Sequence, residues 1–142
     1  MRATMLLADA AQAVDGKLYV LGGGWNMMGV GSPSALAIHI HVPWDLTNRK
    51  HNWRLELLDA DGQPVVVPGP EERAIAMDGQ FEIGRPPGVP AGADMGVSIA
   101  VNVGVLPLAA GNRYEWRLWL NGETDDNWRL PFSVVAVSAQ RN

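Results

Sequence analysis

The chain has 142 residues, a formal charge of −4 at pH 7 and no cysteine. A chain of this length can bury a core large enough to be stable without disulfides or a structural metal. We therefore expect residues 1–142 to form a single domain. The missing cysteines exclude thiol catalysis, cysteine-ligated zinc and disulfides. The negative charge argues against general binding to nucleic acid or to an anionic membrane, because both depend on clustered Lys and Arg.

The first elements are two short apolar runs, residues 4–8 and 18–21, with the turn Asp15-Gly16 just before the second run. The alanine-rich segment between the runs has the composition of a helical turn but is too short to be stable alone. Both runs are apolar on both faces, so we expect these strands to lie centrally in a sheet or beneath a partner. Gly22-Gly-Gly24 then ends the strand, and a bulge or tight bend suits this run better than a phosphate cradle.

No window of the sequence is apolar over the length of a membrane span. The apolar run that follows Met1 is also too short for the hydrophobic core of a signal peptide. We therefore expect an intracellular protein, or one that leaves the cell only by lysis or as part of a particle.

Alternation defines the middle strands. In residues 36–42 aliphatic side chains occupy the even positions, whereas His39 and His41 point to the opposite face. Residues 53–57 alternate in the same way, and the Asp61-Gly62 turn that follows predicts a hairpin into a short run of valines.

Two weak strand pieces, residues 73–77 and 80–83, surround Asp78-Gly79, which we interpret as a turn. The longest irregular segment, residues 84–94, follows, and its length and its Pro and Gly content favour a mobile contact loop. Residues 97–105 then place Val and Ile opposite a strip of small side chains: Gly96, Ser98, Ala100, Asn102 and Gly104. Such a strip lets another backbone or surface approach closely.

The clearest strand is residues 113–120. Its even positions are Tyr, Trp, Leu and Leu, while Arg117 and Trp119 share the other face. The spacing Leu108-x-x-Gly111-x-x-Tyr114 resembles the corner at which a Greek-key sandwich crosses between its sheets. A last strand, residues 128–134, completes a total of eight or nine strands with no convincing helix. The predicted fold is all-β, an antiparallel two-sheet β-sandwich of Ig-like or jelly-roll Greek-key type, with a small closed barrel as the alternative.

The three histidines allow a metal hypothesis. His39-x-His41 with His51 resembles half of the first cupin motif, but only Asp45 stands near the position of its glutamate ligand and no second histidine motif follows. We therefore predict no metal and no cofactor, and keep a cupin-like metalloprotein as a minor alternative. The acidic pairs stand beside Gly, Pro or Asn and are typical of turns, so we predict no catalytic residues and no enzyme.

Six tryptophans are the compositional excess of this chain. Trp119 lies on the face that carries Arg117, and Trp25 lies at a strand end. Because Trp and Arg are enriched in contact surfaces, Trp119, Arg117, His39 and His41 form the predicted contact surface, with Trp25 as a further binding residue.

Three segments carry a resemblance to a known family: residues 6–25, residues 54–62, and the Leu-x-x-Gly-x-x-Tyr spacing with Leu130-Pro-Phe132. They resemble a family of small bacterial and actinobacterial-phage β-sandwich proteins of unknown function. The resemblance implies a standalone sandwich without assigned catalytic residues, located in the bacterial cytoplasm or in a virion.

The first functional hypothesis is a non-enzymatic structural or interaction protein, which forms a homo-oligomer or docks on a larger assembly such as a phage capsid as a head decoration or accessory component. The alternative is a β-sandwich module that binds carbohydrate or another ligand through Trp119 or Trp25. The expected partners are therefore proteins, with neither nucleic acid nor membrane among them.

Overall fold

The computed structural model describes residues 1–136, and this part of the chain is all-β apart from one 3-10 turn, Trp44–Leu46. The strands are β1 (Arg2–Val14), β2 (Lys17–Gly23), β3 (Met27–Gly29), β4 (Pro33–Val42), β5 (Lys50–Asp59), β6 (Val66–Val67), β7 (Arg73–Ala74), β8 (Ala76–Glu82), β9 (Met95–Val105), β10 (Arg113–Leu120) and β11 (Glu123–Val135). The predicted all-β class is confirmed. The described residues form eleven strands rather than eight or nine, because β3, β6 and β7 are too short to leave an alternating pattern in the sequence.

The strands form three sheets. Sheet A has the order β2-β1-β4-β9, sheet B has the order β3-β11-β10-β5-β8, and β6 pairs with β7 in a small third sheet. Neighbouring strands within residues 1–136 are antiparallel except β3 and β11, which are parallel. The expectation of a purely antiparallel arrangement was wrong at this one edge.

Sheets A and B contribute to one hydrophobic core. The side chains of Ile38 and Ile40 on β4 and of Leu55, Trp116 and Leu118 on β5 and β10 are all 0% exposed and belong to the same cluster. These are the inward positions that the alternation of β4, β5 and β10 predicts. Burying them supplies the main driving force for folding, because apolar burial contributes about 25 cal/mol per Å².

β1 is longer than expected. It continues through Val14, so the alanine-rich segment between the two predicted runs is strand and not a helical turn. The residues after Ala8 pair with β2, and Asp15 and Gly16 close the hairpin with φ angles of 52° and 74°. Two residues with positive φ suit the twist of a tight hairpin, and pairing along its full length outweighs the local preference of an alanine-rich segment.

The part of the β1–β2 hairpin that follows Ala8 lies against the outer face of β4 and β9. Leu7, Ala8 and Ala11 are all buried, so β1 buries side chains on both of its faces at the start of the hairpin. Ala11 packs in a second small cluster with Ala35 and Ala37 of β4, on the face opposite the main core. The hairpin therefore covers part of the side of sheet A that strand alternation alone would assign to solvent.

β9 holds this hairpin through the strip of small residues that the sequence analysis singled out. The amide of Asn102 donates to the carbonyl of Ala11 at 2.8 Å and accepts from the N–H of Ala11 at 3.2 Å. Ser98 Oγ donates to the carbonyl of Gly16 at 2.9 Å. The prediction that another backbone approaches this strip is confirmed, and the approaching backbone belongs to the same chain.

Around β5 the predicted turns differ in outcome. Asp59 Oδ1 accepts from the N–H groups of Asp61 and Gln63 at 2.9 Å each, which confirms the Asp61-Gly62 turn. Asp78-Gly79 is not a turn, because β8 runs straight through it. A Cβ at Gly79 would lie 2.7 Å from the ring of Trp53, so this glycine provides a close approach within a strand. The chain from 83 to 94 contains no strand, as predicted for residues 84–94.

Candidate functional site

The five predicted binding residues do not form one surface. Trp119 and Arg117 lie on β10, with the inward side chains of that strand facing the core. His39 and His41 lie on β4 in sheet A and point away from the same core, and Trp25 lies between β2 and β3. The outer faces of sheets A and B are therefore two separate candidate surfaces.

The outer face of sheet B carries two groups of ion pairs. On β10 and β11, Arg117 donates to Glu115 Oε2 at 2.9 Å, and Arg129 reaches Glu115 at 3.9 Å and Asp126 at 2.6 Å. The register of β11 shifts between its pairings with Trp119 and Arg117, and Asp126 lies in this bulge. Surface ion pairs of this kind contribute about 0–1 kcal/mol each, so they shape the face more than they stabilise the fold.

The second group lines a groove in front of Trp119. Trp119 on β10 stands directly opposite Arg54 on β5, which stands directly opposite Asp78 on β8. Arg54 lies 3.6 Å from Asp78 and 3.9 Å from Glu56, distances beyond a direct hydrogen bond. We name this the Trp119 groove; it has a volume of about 670 Å³ and is lined by Asn52, Trp53, Arg54, Glu56, Asp78, Gly79, Gln80, Trp119 and Gly122.

Trp119 contributes its ring rather than its N–H to this groove. Its Nε1 is buried and has no hydrogen-bond partner within residues 1–136, while the residue as a whole is half-buried. Next to it, Gln80 Nε2 donates to Asn52 Oδ1 at 3.0 Å. The groove thus combines an aromatic ring with amide, guanidinium and carboxylate groups that both donate and accept hydrogen bonds.

On the outer face of sheet A, His39 and His41 touch each other. Their rings are 4.8 Å apart and nearly perpendicular, and His39 Nδ1 lies 3.3 Å from Ser98 Oγ. Because the Ser98 hydroxyl donates to the Gly16 carbonyl, the His39 ring is the donor to Ser98. Burial lowers the pKa of His39 from its ordinary 6.5, and the charge of His41 lowers it further.

His51 is separated from the other two histidines. It is 3% exposed, and its ring stacks on Phe81 within the core. Its Nε2 lies 2.7 Å from the carbonyl of Leu46, and its Nδ1 lies 2.9 Å from the amide of Asn121, so both ring nitrogens are occupied. Within residues 1–136 no group of three or more His, Cys, Asp or Glu side chains is placed to hold a metal ion. The cupin-like arrangement of His39, His41 and His51 is therefore not assembled in the described part of the chain.

Trp25 marks the point where the chain leaves β2. Its Nε1 donates to Asp9 Oδ1 at 3.2 Å, and its ring packs against the main core. Gly22 has a φ of 60°, and a Cβ there would collide with the Asp9 carboxylate. Gly22 therefore makes room for Asp9 within β2, and the predicted bend lies at Gly24, whose φ is 95°. Trp25 is a poor candidate for a free stacking platform.

The irregular segment before β9 is anchored at its start. Arg85 donates to Thr47 Oγ1 and to the carbonyl of Trp44, both at 2.7 Å. Its guanidinium carbon also lies 4.0 Å from the centre of the Trp44 ring, which is a cation–π contact. The role of this segment in binding remains a prediction.

A family model described as a family of unknown function (DUF6941) matches residues 3–135, from β1 to the end of β11. The chain belongs to the DUF6941 family. This confirms the predicted resemblance at the level of a family of unknown function. Neither a curated protein nor a solved structure matches the chain.

The most exposed apolar part of this DUF6941 chain is β2 with its neighbouring residues, which the sequence predicted to lie centrally in a sheet. Ten large hydrophobic side chains within residues 1–136 are exposed, and seven of them lie between Leu6 and Val30. β2 is at the edge of sheet A rather than in its centre, with Tyr19 56% and Leu21 70% exposed. The sequence does show that residues 18–21 are apolar on both faces. Such a run is typical of a central strand, so it did not predict an exposed edge. No helix in the described residues is long and apolar enough to cross a membrane.

Proposed function

We propose that this DUF6941 protein is a non-enzymatic interaction protein that self-associates through β2, the edge strand of sheet A. The observation that carries this proposal is the exposed apolar edge. Among residues 1–136, β2 has a neighbouring strand on one side only, and Tyr19, Val20 and Leu21 are 56%, 39% and 70% exposed. An edge strand presents unpaired N–H and C=O groups that can pair with another strand.

This edge lacks most of the features by which proteins prevent edge pairing. Those features are charged side chains, prolines and bulges. Residues 18–44 contain no Asp, Glu, Lys or Arg, and the only charge on β2 is Lys17 at its beginning. The positive φ of Gly22 disturbs the strand at its end, which leaves Leu18–Leu21 as the segment available for pairing.

The proposed partner is a second copy of the chain. Two identical edge strands pair antiparallel about a two-fold axis, so one short strand is complementary to itself. Centred on Val20, such pairing would place Tyr19 opposite Leu21 of the second copy. Aromatic and aliphatic side chains directly opposite each other stabilise a strand pair by about 0.2–1 kcal/mol. Sheet A would then continue across the dimer.

The test is the mass of the full chain in solution by light scattering over a range of concentrations. We expect a dimer, and Leu21→Lys is expected to raise its dissociation constant by roughly tenfold or more, because the substitution occurs twice in a two-fold dimer. Val105→Lys is the matched control, since Val105 is 60% exposed at the end of β9, on the other edge of sheet A.

Amide hydrogen exchange gives a second measurement. The alternate amides of β2 that point away from β1 are expected to be protected in the dimer and to lose protection in the Leu21→Lys variant. A monomer at every concentration would contradict the proposal. So would a dimer that Leu21→Lys leaves unchanged and Val105→Lys dissociates.

Two broader proposals accompany this one. The first is that sheets A and B form a two-sheet Greek-key sandwich, which is supported by their shared core and by Tyr114, whose hydroxyl accepts from the N–H of Ala109 at 3.0 Å near the predicted corner. The second is that the oligomer is a component of a larger assembly such as a phage virion, in a bacterial host. This second proposal is supported by the sequence resemblance. Pairing of the β2 edge with a second copy would provide a means of assembly.

A further inference from the structure

We infer that the Trp119 groove binds a neutral sugar, by stacking one face of a pyranose ring on the indole of Trp119. This site lies on the outer face of sheet B and is independent of the β2 edge. Its volume of about 670 Å³ is within the range of small-molecule sites, which runs from roughly 300 to 1,000 Å³.

The aromatic ring and the polar groups lie in one line across three strands. Trp119, Arg54 and Asp78 stand directly opposite one another on β10, β5 and β8. Two strand spacings separate Trp119 from Asp78, a distance of about 10 Å. A flat apolar ring face at one end and hydrogen-bonding groups at the other match a pyranose, which has an apolar C–H face and a polar rim of hydroxyls.

The polar groups are only loosely paired with each other. Arg54 lies 3.6 Å from Asp78 and 3.9 Å from Glu56, and 45% of its side chain is exposed. At these separations the guanidinium and the carboxylates are not hydrogen-bonded directly to each other, so their donors and acceptors remain available to a ligand hydroxyl. Neighbouring hydroxyls of a sugar both donate and accept, so they can bridge Arg54 to either carboxylate while Asn52 and Gln80 contact others.

Charge selects against other ligands. Among the described residues, the groove is lined by one cation, Arg54, and by two anions, Glu56 and Asp78. The excess of negative charge disfavours phosphate, sulfate and uronic acids, whereas the guanidinium beside the ring disfavours an organic cation. A neutral polyhydroxylated ligand satisfies both signs without leaving a charge unpaired.

The experiment is an NMR titration of the full chain labelled with ¹⁵N. The ligands are the methyl glycosides of glucose, galactose, mannose and N-acetylglucosamine, and the tetrasaccharides of the same sugars. The indole N–H signals report on each tryptophan, and that of Trp119 is assigned by its loss in Trp119→Phe. We expect a saturable shift of the Trp119 signal. Trp119→Ala is expected to weaken binding by roughly tenfold or more, and Trp119→Phe to weaken it less, since Phe keeps a ring.

Two further variants separate the site from general effects. Arg54→Met keeps the aliphatic stem but removes the donors, and it is expected to weaken binding several-fold. Tyr19→Ser removes an exposed ring on sheet A and is expected to leave sugar binding unchanged. The dimer mass of Trp119→Ala should equal that of the unaltered chain, so a failure of this inference is distinguishable from a failure of β2 pairing.

The inference is overturned if no probe shifts the Trp119 signal, or if binding persists at full strength in Trp119→Ala. It is also overturned if glucuronic acid binds more tightly than glucose, since an anionic ligand contradicts the charge of the groove.

Discussion

The outer faces of the two main sheets differ in what covers them. On sheet A, Ala35 and Ala37 are 0% and 1% exposed although they point away from the main core, because the β1–β2 hairpin lies over them. On sheet B, the corresponding face carries Glu115, Arg117 and Trp119, all half-buried and without a covering strand among residues 1–136. Within the described residues, one face is covered by the chain itself and the other is not.

The difference follows from side-chain size. Both faces belong to strands that alternate cleanly, so alternation alone predicts two solvated outer faces. Alanine, serine and glycine on β4 and β9 leave room for a second backbone at hydrogen-bond distance, as the Asn102 contacts to Ala11 show. Long charged side chains on β10 exclude a second backbone but leave a groove at Trp119 for a small ligand.

The largest expected effect comes from placing a bulky side chain beneath the hairpin. Ala37→Phe should destabilise the fold by about 1–3 kcal/mol, because overpacking a closed site forces backbone shifts. Arg117→Phe introduces the same ring on the open face, where the change should stay within about 1 kcal/mol. Urea unfolding of both variants, followed by circular dichroism, measures the difference.

Equal destabilisation by the two phenylalanine variants would show that the outer face of sheet A is not closed. A larger effect at Arg117 would reverse the comparison between the two faces.

A smaller effect is expected from removing the contact that holds the hairpin. Asn102→Ala deletes two hydrogen bonds to the backbone of Ala11, each worth about 0.5–1.5 kcal/mol, at a position open to water. The loss should be about 1 kcal/mol. Native-state hydrogen exchange should locate it, since the Ala11 amide is expected to exchange faster while amides of β10 change only with global stability. Equal acceleration at Ala11 and in β10 would contradict local opening of the hairpin.

The sequence predicted the parts of the fold that depend on alternation. The inward sets of β4 and β10 are as buried as their pattern required, because a period of two permits only one apolar face on such strands. The path of the β1–β2 hairpin could not be predicted in this way. It depends on hydrogen bonds between Ala11 and Asn102, which stands about ninety residues later in the chain.

The candidate sites were predictable in part. Trp119 was identified because a large aromatic stood on a charged face, and the structure adds the groove residues Arg54, Asp78 and Gln80. Their contribution could not be read from the sequence, because it depends on the register between β5, β8 and β10. The separation of His39 from Trp119 was equally hidden, since neither strand pattern reveals which sheet a strand joins.

The smallest expected effect is the response of the closed face to acid, at His39. Burial and the charge of His41 hold the pKa of His39 below 6.5, so the folded chain binds this proton less tightly than the unfolded chain does. The contribution of His39 to the free energy of unfolding is therefore fully present above pH 6.5. It falls as the pH drops from 6.5 through the pKa of His39 in the folded state. The effect is small because His39 is half-exposed.

Titration of the His39 ring by NMR should give a pKa below 6.5. His41→Gln should raise this pKa, because it removes the charge of His41 while the burial of His39 under Ser98 and Gly16 persists. A pKa for His39 at or above 6.5 would mean that the turn of the β1–β2 hairpin does not shield this ring. The hairpin would then cover the outer face of sheet A only up to a point short of its turn.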